Sequence, residues 1–149
     1  MKICDATSSM ADRLTDLAVR SKSSWGYDSS WLTLWKDDLT IEPDYIEKHV
    51  VKVAEKGGGL IGFAALNLQD LEIDHFWVEP SYMRKGVGKA VFEAIRATMK
   101  EKRISQITIV SDPNAEGFYL GMGAKRIGEV ESVPPGRFLP KLTFEVNWV

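Results

Sequence analysis

Leu71 to Lys102 constrains this chain more than any other stretch, because a strand, a sharp turn and a long amphipathic helix follow one another there without interruption. Leu71-Glu72-Ile73-Asp74-His75-Phe76-Trp77-Val78 is rich in β-branched and aromatic residues, which suit a pleated sheet. Pro80 ends it. After Ser81-Tyr82-Met83 comes Arg84-Lys85-Gly86-Val87-Gly88, whose glycines allow a sharp turn and a close backbone approach. From there Val87, Val91, Ile95 and Met99 recur at every fourth position, which is a helix period. A helix opening on a glycine turn leaves N–H groups unpaired at the positive end of its dipole, and Arg84 and Lys85 add charge beside them. Such a place binds anions, phosphates above all. Glycines also precede helices for purely conformational reasons, so the turn alone decides nothing.

Two well-known phosphate motifs fail at this turn. A P-loop needs Ser or Thr after Gly88-Lys89, where Ala90 stands, and a dinucleotide fingerprint needs a third glycine, where Val91 stands.

The flanking sequence predicts the remaining elements. Lys2 to Ala6 reads as a short strand. Ser9 with Asp12 forms a capping pattern for a helix whose apolar face is Met10, Leu14, Leu17 and Ala18 and which runs out near Lys22. Pro43 suits the first turn of a helix reaching Lys48, with Thr40 or Glu42 leading in. His49 to Glu55 and Leu60 to Gln69 flank a glycine turn as a hairpin, and with Leu71 to Val78 they make an antiparallel meander. Ile104 to Val110 is then a strand parallel to Leu71–Val78, because a long helix joins the two in a right-handed crossover. Asp112-Pro113-Asn114 breaks that strand and caps a short helix from Ala115 to Met122, closed by Gly121 and Gly123. Arg126 to Glu131 and Phe138 to Val146 complete the strands. The fold class is α/β.

Composition narrows the function. With 44% apolar residues in 149, residues 1–149 are expected to form one soluble domain. A net charge of −2 provides no general basic face, so neither nucleic acid nor an anionic membrane is expected as a partner. Cys4 is the only cysteine, which fits a reducing cytoplasm. The N-terminus lacks an apolar stretch of roughly 7–15 residues, and no run approaches the roughly 18 needed to span a bilayer. No His, Cys or carboxylate cluster has metal spacing, so no metal site is expected; His49 reads as an exposed residue at a strand start.

Several side chains carry a structural and a chemical reading side by side. Trp25, Tyr27, Trp31 and Trp35 crowd a short polar segment, either packing a helix onto the sheet or lining a substrate pocket. Strict alternation puts Glu72 and Asp74 on one face with Phe76 and Val78, opposite Leu71, Ile73, His75 and Trp77. Two such carboxylates sit either at a wet sheet margin or in a cleft with a raised pKa suited to base work. Tyr119 is either a buried ring with a satisfied hydroxyl or a proton donor. Arg137, in a glycine-containing turn, is either solvated or able to reach an anionic substrate.

Tyr82-Met83-Arg84-Lys85-Gly86-Val87-Gly88-Lys89-Ala90, with the strand before it and the helix after it, resembles the acetyl-coenzyme A motif of the GNAT superfamily of N-acetyltransferases. Asp112-Pro113-Asn114-Ala115-Glu116-Gly117-Phe118-Tyr119 with Met122-Gly123-Ala124 is similar to that family's second signature. Met83 departs from the usual lead residue of the glycine motif. The resemblance implies a mixed, mostly antiparallel sheet flanked by helices, with the fourth and fifth strands parallel and splayed. It implies acetyl-CoA as co-substrate, with direct transfer to an amine, most simply a small molecule. Met83, Arg84, Lys85, Gly86, Val87, Gly88 and Lys89 would then hold the pyrophosphate, and Phe76, Trp77 and Val78 would pair with pantetheine through their main chain. Asn114 would fix the cofactor arm. Glu72 falls where several members carry their general base, with Asp74 as the competing carboxylate, and Tyr119 falls where a tyrosine protonates the leaving thiolate. Trp25 and Tyr27, and with them Asp74 and Arg137, would face the acceptor. Two alternatives stay open: an acyl-CoA-binding sensor without turnover, and a nucleotide-binding protein. An exposed edge strand could support a homodimer.

Overall fold

A computed structural model describes residues 1–147; Trp148 and Val149, the end of the expected 1–149 unit, lie outside the described residues. β1 (Lys2–Asp5) is followed by a 3-10 turn at Ser8–Met10 and by α1 (Ala11–Ser23). The expected capping pattern does not form: the Ser9 hydroxyl bonds Thr7 Oγ1 at 2.8 Å, and α1 continues from the preceding turn with no side-chain cap. α2 (Ser29–Leu34) is capped by Asp28, which accepts from Ser30 N–H at 2.8 Å, and leads through Trp35 to α3 (Lys36–Leu39). α4 (Pro43–Lys48) begins on its proline. β2 (Val50–Lys56), β3 (Gly59–Asn67) and β4 (Glu72–Val78) form the antiparallel meander. α5 (Val87–Lys102) then crosses to β5 (Gln106–Val110), α6 (Glu116–Gly121) follows a 3-10 turn at Pro113–Ala115, and β6 (Lys125–Glu131) and β7 (Phe138–Glu145) close the order.

Among the described residues the strands make a seven-stranded sheet in the order β1-β2-β3-β4-β5-β7-β6, in which β4 and β5 alone run parallel. Helices cover both faces. On one, Val91, Phe92, Ile95 and Met99 of α5 bury against Ile61, Ala64, Ile107, Ile109 and Leu142. On the other, Leu14 and Leu17 of α1, Trp35 and Ile46 pack on Val53, Phe63 and Ala65. Each fully buried leucine or isoleucine there contributes about 1.5–3 kcal/mol relative to exposure. Close packing of α5 onto β3 depends on Gly62, where an added Cβ would meet Val87 Cγ1 at 2.8 Å.

Two departures in β4 shape everything that follows. First, β4 and β5 pair only at Glu72↔Thr108 and Ile73↔Ile109, after which they separate. The expected splay is therefore present. Second, β4 carries a bulge at Asp74, since Ala65 pairs with His75 while Leu66 pairs with Ile73. An extra residue reverses the alternation beyond it, so the expected faces need correcting. Ile73 lies with Phe76 and Val78 toward α5, whereas His75 and Trp77 turn toward the α1–α4 side, where Asp74 also bonds α4. Glu72 and Asp74 stay on one side but part company with Phe76 and Val78.

Candidate active site

Between the diverging strands opens a cavity of about 690 Å³, walled by β4, the turn into α5, the Asp112–Tyr119 segment, α1, α3 and the β6–β7 loop. That is within the size range of small-molecule sites. Tyr82 ends a 3-10 turn, Arg84 takes a left-handed φ of 62° and Gly86, at φ 86°, is the N-cap of α5. The first helical bond of α5 runs from Ala90 N–H to the Gly86 carbonyl at 3.1 Å, and no side chain caps the helix. The N–H groups of Val87, Gly88 and Lys89 thus have no partner among the described residues, and they point out of the positive end of a sixteen-residue helix. A Cβ on Gly86 would meet nothing within 4 Å, so the space before this helix end is open. The two glycines do different work. Gly86 supplies the left-handed turn, while Gly88 lets the Phe118 ring approach, its absent Cβ lying 3.2 Å from Phe118 Cε1.

Beyond Ile73 the β4 backbone keeps its β3 partners but has lost β5, which leaves the groups of residues 74–78 on that edge facing the cavity. Across the gap lies Tyr119, 4% exposed, in a cage of Phe76, Phe92 and Phe118 rings at 5.4 to 6.5 Å. Its ring lines the cavity, and its hydroxyl bonds none of the described residues. Burial pushes its pKa up, and Asp112 adds to that, so the phenol stays protonated at neutral pH.

At the opposite end a charged cluster surrounds Asp112, which is recruited from three parts of the chain. Lys22, on the buried stripe of α1, forms an ion pair with Asp112 Oδ2; both side chains are 9% exposed. Tyr27 donates to Asp112 Oδ2 at 2.9 Å, and Asn114 donates to Oδ1 through its backbone N–H and its amide, each at 2.9 Å. The Lys22 ammonium also lies 4.6 Å from the Trp35 ring centroid, 4.9 Å from Tyr27 and 5.8 Å from Trp77. Desolvation lowers the Lys22 pKa despite its partner. Desolvation also works against the Asp112 carboxylate, but the hydrogen bond and charge of Lys22, with the Asn114 and Tyr27 bonds, outweigh it and hold that pKa low. Arg137 closes the cluster from the β6–β7 loop, stacked 4.5 Å from the Trp35 centroid, while Trp35 Nε1 donates to the Val133 carbonyl at 2.9 Å.

The carboxylates of β4 separate in space. Asp74 lines the cavity; its Oδ2 accepts from Tyr45 at 2.8 Å and from Asn67 at 3.0 Å, and Oδ1 has no partner among the described residues. Glu72 does not line the cavity. It sits at the closed end where β4 and β5 still pair, its pKa raised by burial and then by Asp74 and Asp70. His75 also faces the cavity, with Nδ1 accepting from Trp77 Nε1 at 3.2 Å, and burial lowers its pKa to about 4.

Of the residues expected at the site, Trp25, Asp74, Phe76, Trp77, Val78, Met83, Arg84, Gly86, Gly88, Lys89, Asn114, Tyr119 and Arg137 converge on this cavity. Four do not line it. Val87 contributes its N–H but buries its side chain, Lys85 turns its ammonium toward Tyr82 at 5.7 Å, Tyr27 stands behind Asp112 and Arg137, and Glu72 stays at the closed end. Lys22, Asp38, His75 and Asp112 are titratable residues of the cavity wall that sequence reasoning left out of the site. Lys22 was detectable: it lies one helical step beyond Ala18 on the apolar stripe, where a lysine must be paired. Asp112 had no local signal, because Lys22 and Tyr27 come from far earlier in the chain. Among the described residues no group of three or more His, Cys, Asp or Glu side chains is placed to hold a metal, and no helix is long and apolar enough to cross a membrane.

Comparison with known proteins bears on the whole arrangement. The acetyltransferase (GNAT) domain profile matches residues 40–136. A GCN5-related N-acetyltransferase from Rhodopseudomonas palustris has the same fold, with a TM-score of 0.83 at 19% identity, covering 97% of this chain and 95% of that one. The PaiA N-acetyltransferase of Thermoplasma acidophilum, solved with coenzyme A, gives 0.78 at 18% identity over 97% and 98%. The ribosomal-protein-S18-alanine N-acetyltransferase of Escherichia coli gives 0.71 at 12% identity over 97% and 92%. Such identities speak to the fold alone, but the domain match extends from the end of α3 to the loop that carries Arg137. This chain belongs to the GNAT superfamily of acetyl-CoA-dependent acyltransferases.

Proposed function

We propose that the chain transfers the acetyl group of acetyl-CoA to the primary amine of a small acceptor, directly and in a ternary complex, with residues 1–149 acting as one catalytic unit. The observation that carries this reading is the juxtaposition of an unpaired helix N-terminus, an open β4 edge and an unbonded tyrosine hydroxyl around one cavity. When bound, acetyl-CoA supplies an activated thioester whose thiolate can leave. The N–H groups of Val87, Gly88 and Lys89, with Arg84 and Lys89 side chains at the cavity wall, fit its pyrophosphate. The free edge of β4 at Phe76, Trp77 and Val78 pairs with the pantetheine amides and polarises the thioester carbonyl. Asn114, already fixed by Asp112, positions the arm from the other side.

The acceptor's ammonium must lose a proton before its nitrogen attacks. Asp74 is the carboxylate that faces the cavity with a free oxygen, so the role that family resemblance gave to Glu72 is assigned to Asp74. Tyr119, kept protonated by burial, gives its proton to the departing thiolate.

The test is the melting temperature with and without acetyl-CoA, followed by thiol release with an amine panel. At roughly 100 times the dissociation constant, linkage gives about 2.7 kcal/mol of stabilisation. Gly86→Glu, which projects a carboxylate into the open space before α5, should abolish the shift. Asp74→Asn should lower turnover more than Glu72→Gln. No shift in the folded wild type would refute the reading. Binding without thiol release would replace it by a sensor.

A further inference from the structure

Resting on the acetyl-transfer reading, we infer that the acceptor amine carries a carboxylate and that Arg137 is the residue that reads it. The evidence is a surplus of buried positive charge at the acceptor end of the cavity. Asp38 and Asp74 also line the cavity, but among the described residues Asp112 is the only carboxylate paired with Lys22 or Arg137, and its acceptor sites are filled by closer partners than Arg137. Lys22 and Tyr27 take one oxygen, and the Asn114 backbone and amide take the other. A carboxylate offers about four lone-pair sites. Lys22 therefore neutralises Asp112, and Arg137 is left over.

The contacts of Arg137 show the same deficit. Its side chain is 11% exposed, yet its polar contacts are all long: Asp112 at 3.5 Å, Tyr27 Oη at 3.4 Å and Ser132 Oγ at 3.5 Å. Charge-assisted bonds of a satisfied guanidinium are about 2.7–2.9 Å. The Trp35 and Tyr27 rings, 4.5 and 5.4 Å away, offset part of its desolvation, but the planar fork still has donors free for an anion that meets it at shorter range. The fork is held ready for one: it is stacked on Trp35, and Trp35 is itself tied through Nε1 to Val133 of the same loop. Arg137 lines the cavity, so the missing anion comes from the cavity side. At the β4 wall of the same cavity Asp74 offers its free oxygen to an ammonium. One cavity with a cationic receptor and an anionic one selects an acceptor with both charges, an amino-acid-like small molecule. A phosphate of the cofactor is the other conceivable anion for Arg137.

The experiment compares thiol release from acetyl-CoA for α- and ω-amino acids and for the same compounds as primary amides, using wild type, Arg137→Gln and Arg137→Lys. Acetyl-CoA melting shifts are recorded in parallel. The expected result is a kcat/KM higher for the acids by roughly 10- to 100-fold, the worth of one charged hydrogen bond or pair. In Arg137→Gln that preference collapses through a rise in KM for the acids. Arg137→Lys, which keeps the charge without the fork, restores it in part, and the acetyl-CoA shift matches wild type in both variants. Equal use of acids and amides, or transfer to no acid while acetyl-CoA still binds, overturns the inference and leaves the acetyl-transfer reading standing. Loss of the acetyl-CoA shift in a folded Arg137→Gln protein assigns the guanidinium to a cofactor phosphate and overturns the inference. Absence of a shift in wild type sinks both.

Discussion

Replacing Asp112 by asparagine should cost far more than an isosteric change usually does. The amide keeps the side-chain shape and an oxygen for the Asn114 N–H, so the local turn survives. What disappears is the one negative charge between Lys22 and Arg137. Both members of the Lys22–Asp112 pair are 9% exposed, so the discount for surface pairs does not apply. Removing one partner of a buried pair costs about 3–5 kcal/mol, a large part of a typical total of about 5–15 kcal/mol. At about 2–4 °C per kcal/mol the melting temperature should fall by roughly 6–20 °C. The pH dependence follows from Lys22. Its folded pKa already lies below the ordinary lysine value, and without Asp112 it falls further. The unfolded chain then binds more protons than the folded one above that folded pKa, so the variant's deficit should shrink as pH rises toward about 10.5, the unfolded lysine value. Lys22→Met added to Asp112→Asn should recover part of the loss by removing the stranded cation. Urea unfolding of the four proteins of this cycle, from neutral to alkaline pH, measures each quantity. An Asp112→Asn protein within about 1 kcal/mol of wild type, or a double variant no more stable than the single, would refute the reasoning.

Tyr119→Phe should lower turnover by about 10²- to 10⁴-fold while the acetyl-CoA melting shift stays; unchanged turnover removes the tyrosine from the mechanism. His75 has a folded pKa of about 4 against 6.5 for the ordinary residue, so the unfolded chain binds more protons between those values and stability falls as pH drops through that window. The loss should be roughly 3 kcal/mol, and His75→Gln should flatten it; an unchanged acid slope in melting temperature counts against the assignment. Gly62→Ala forces a Cβ to within 2.8 Å of Val87 Cγ1 and 3.3 Å of the Trp77 carbonyl. It should cost about 1–3 kcal/mol and weaken acetyl-CoA binding by shifting the start of α5, and a wild-type urea midpoint would contradict that.

How much of this could be read beforehand depended on whether the cause was local. α5 announces itself through Val87, Val91, Ile95 and Met99, all buried as the period requires, and its observed bounds are those its pattern marks. The crossover rule alone made β4 and β5 parallel. The faces of β4 were misassigned because the bulge at Asp74 arises from pairing with β3 and leaves the alternating pattern of β4 itself unchanged. The preference for Glu72 over Asp74 came from its place in the family motif, and neither the motif nor the alternation of β4 carries the information that Asp74 lines the cavity while Glu72 stays at the closed end. The aromatic segment resolved both ways at once. Trp31, Trp35 and Tyr27 pack on one another at 5.1 to 6.0 Å, while Trp25 and Trp35 also line the cavity. The Ser9 capping pattern failed because a 3-10 turn already leads into α1, leaving the hydroxyl to bond Thr7.

The tie between Trp35 and Val133 has a meaning for descent with modification. It joins two walls of the cavity, the one built from α1–α3 and the one built from the β6–β7 loop, across from the glycine turn that opens α5. Under the proposed function these are the walls that would change with the acceptor, while the glycine turn that would hold acetyl-CoA stays as it is. Asp112 limits such change, since it grips Lys22 and Tyr27 on one side and Asn114 on the other. A change of acceptor that altered Asp112 would have to be matched by a second change at Lys22, which makes these two positions the ones expected to vary together or not at all.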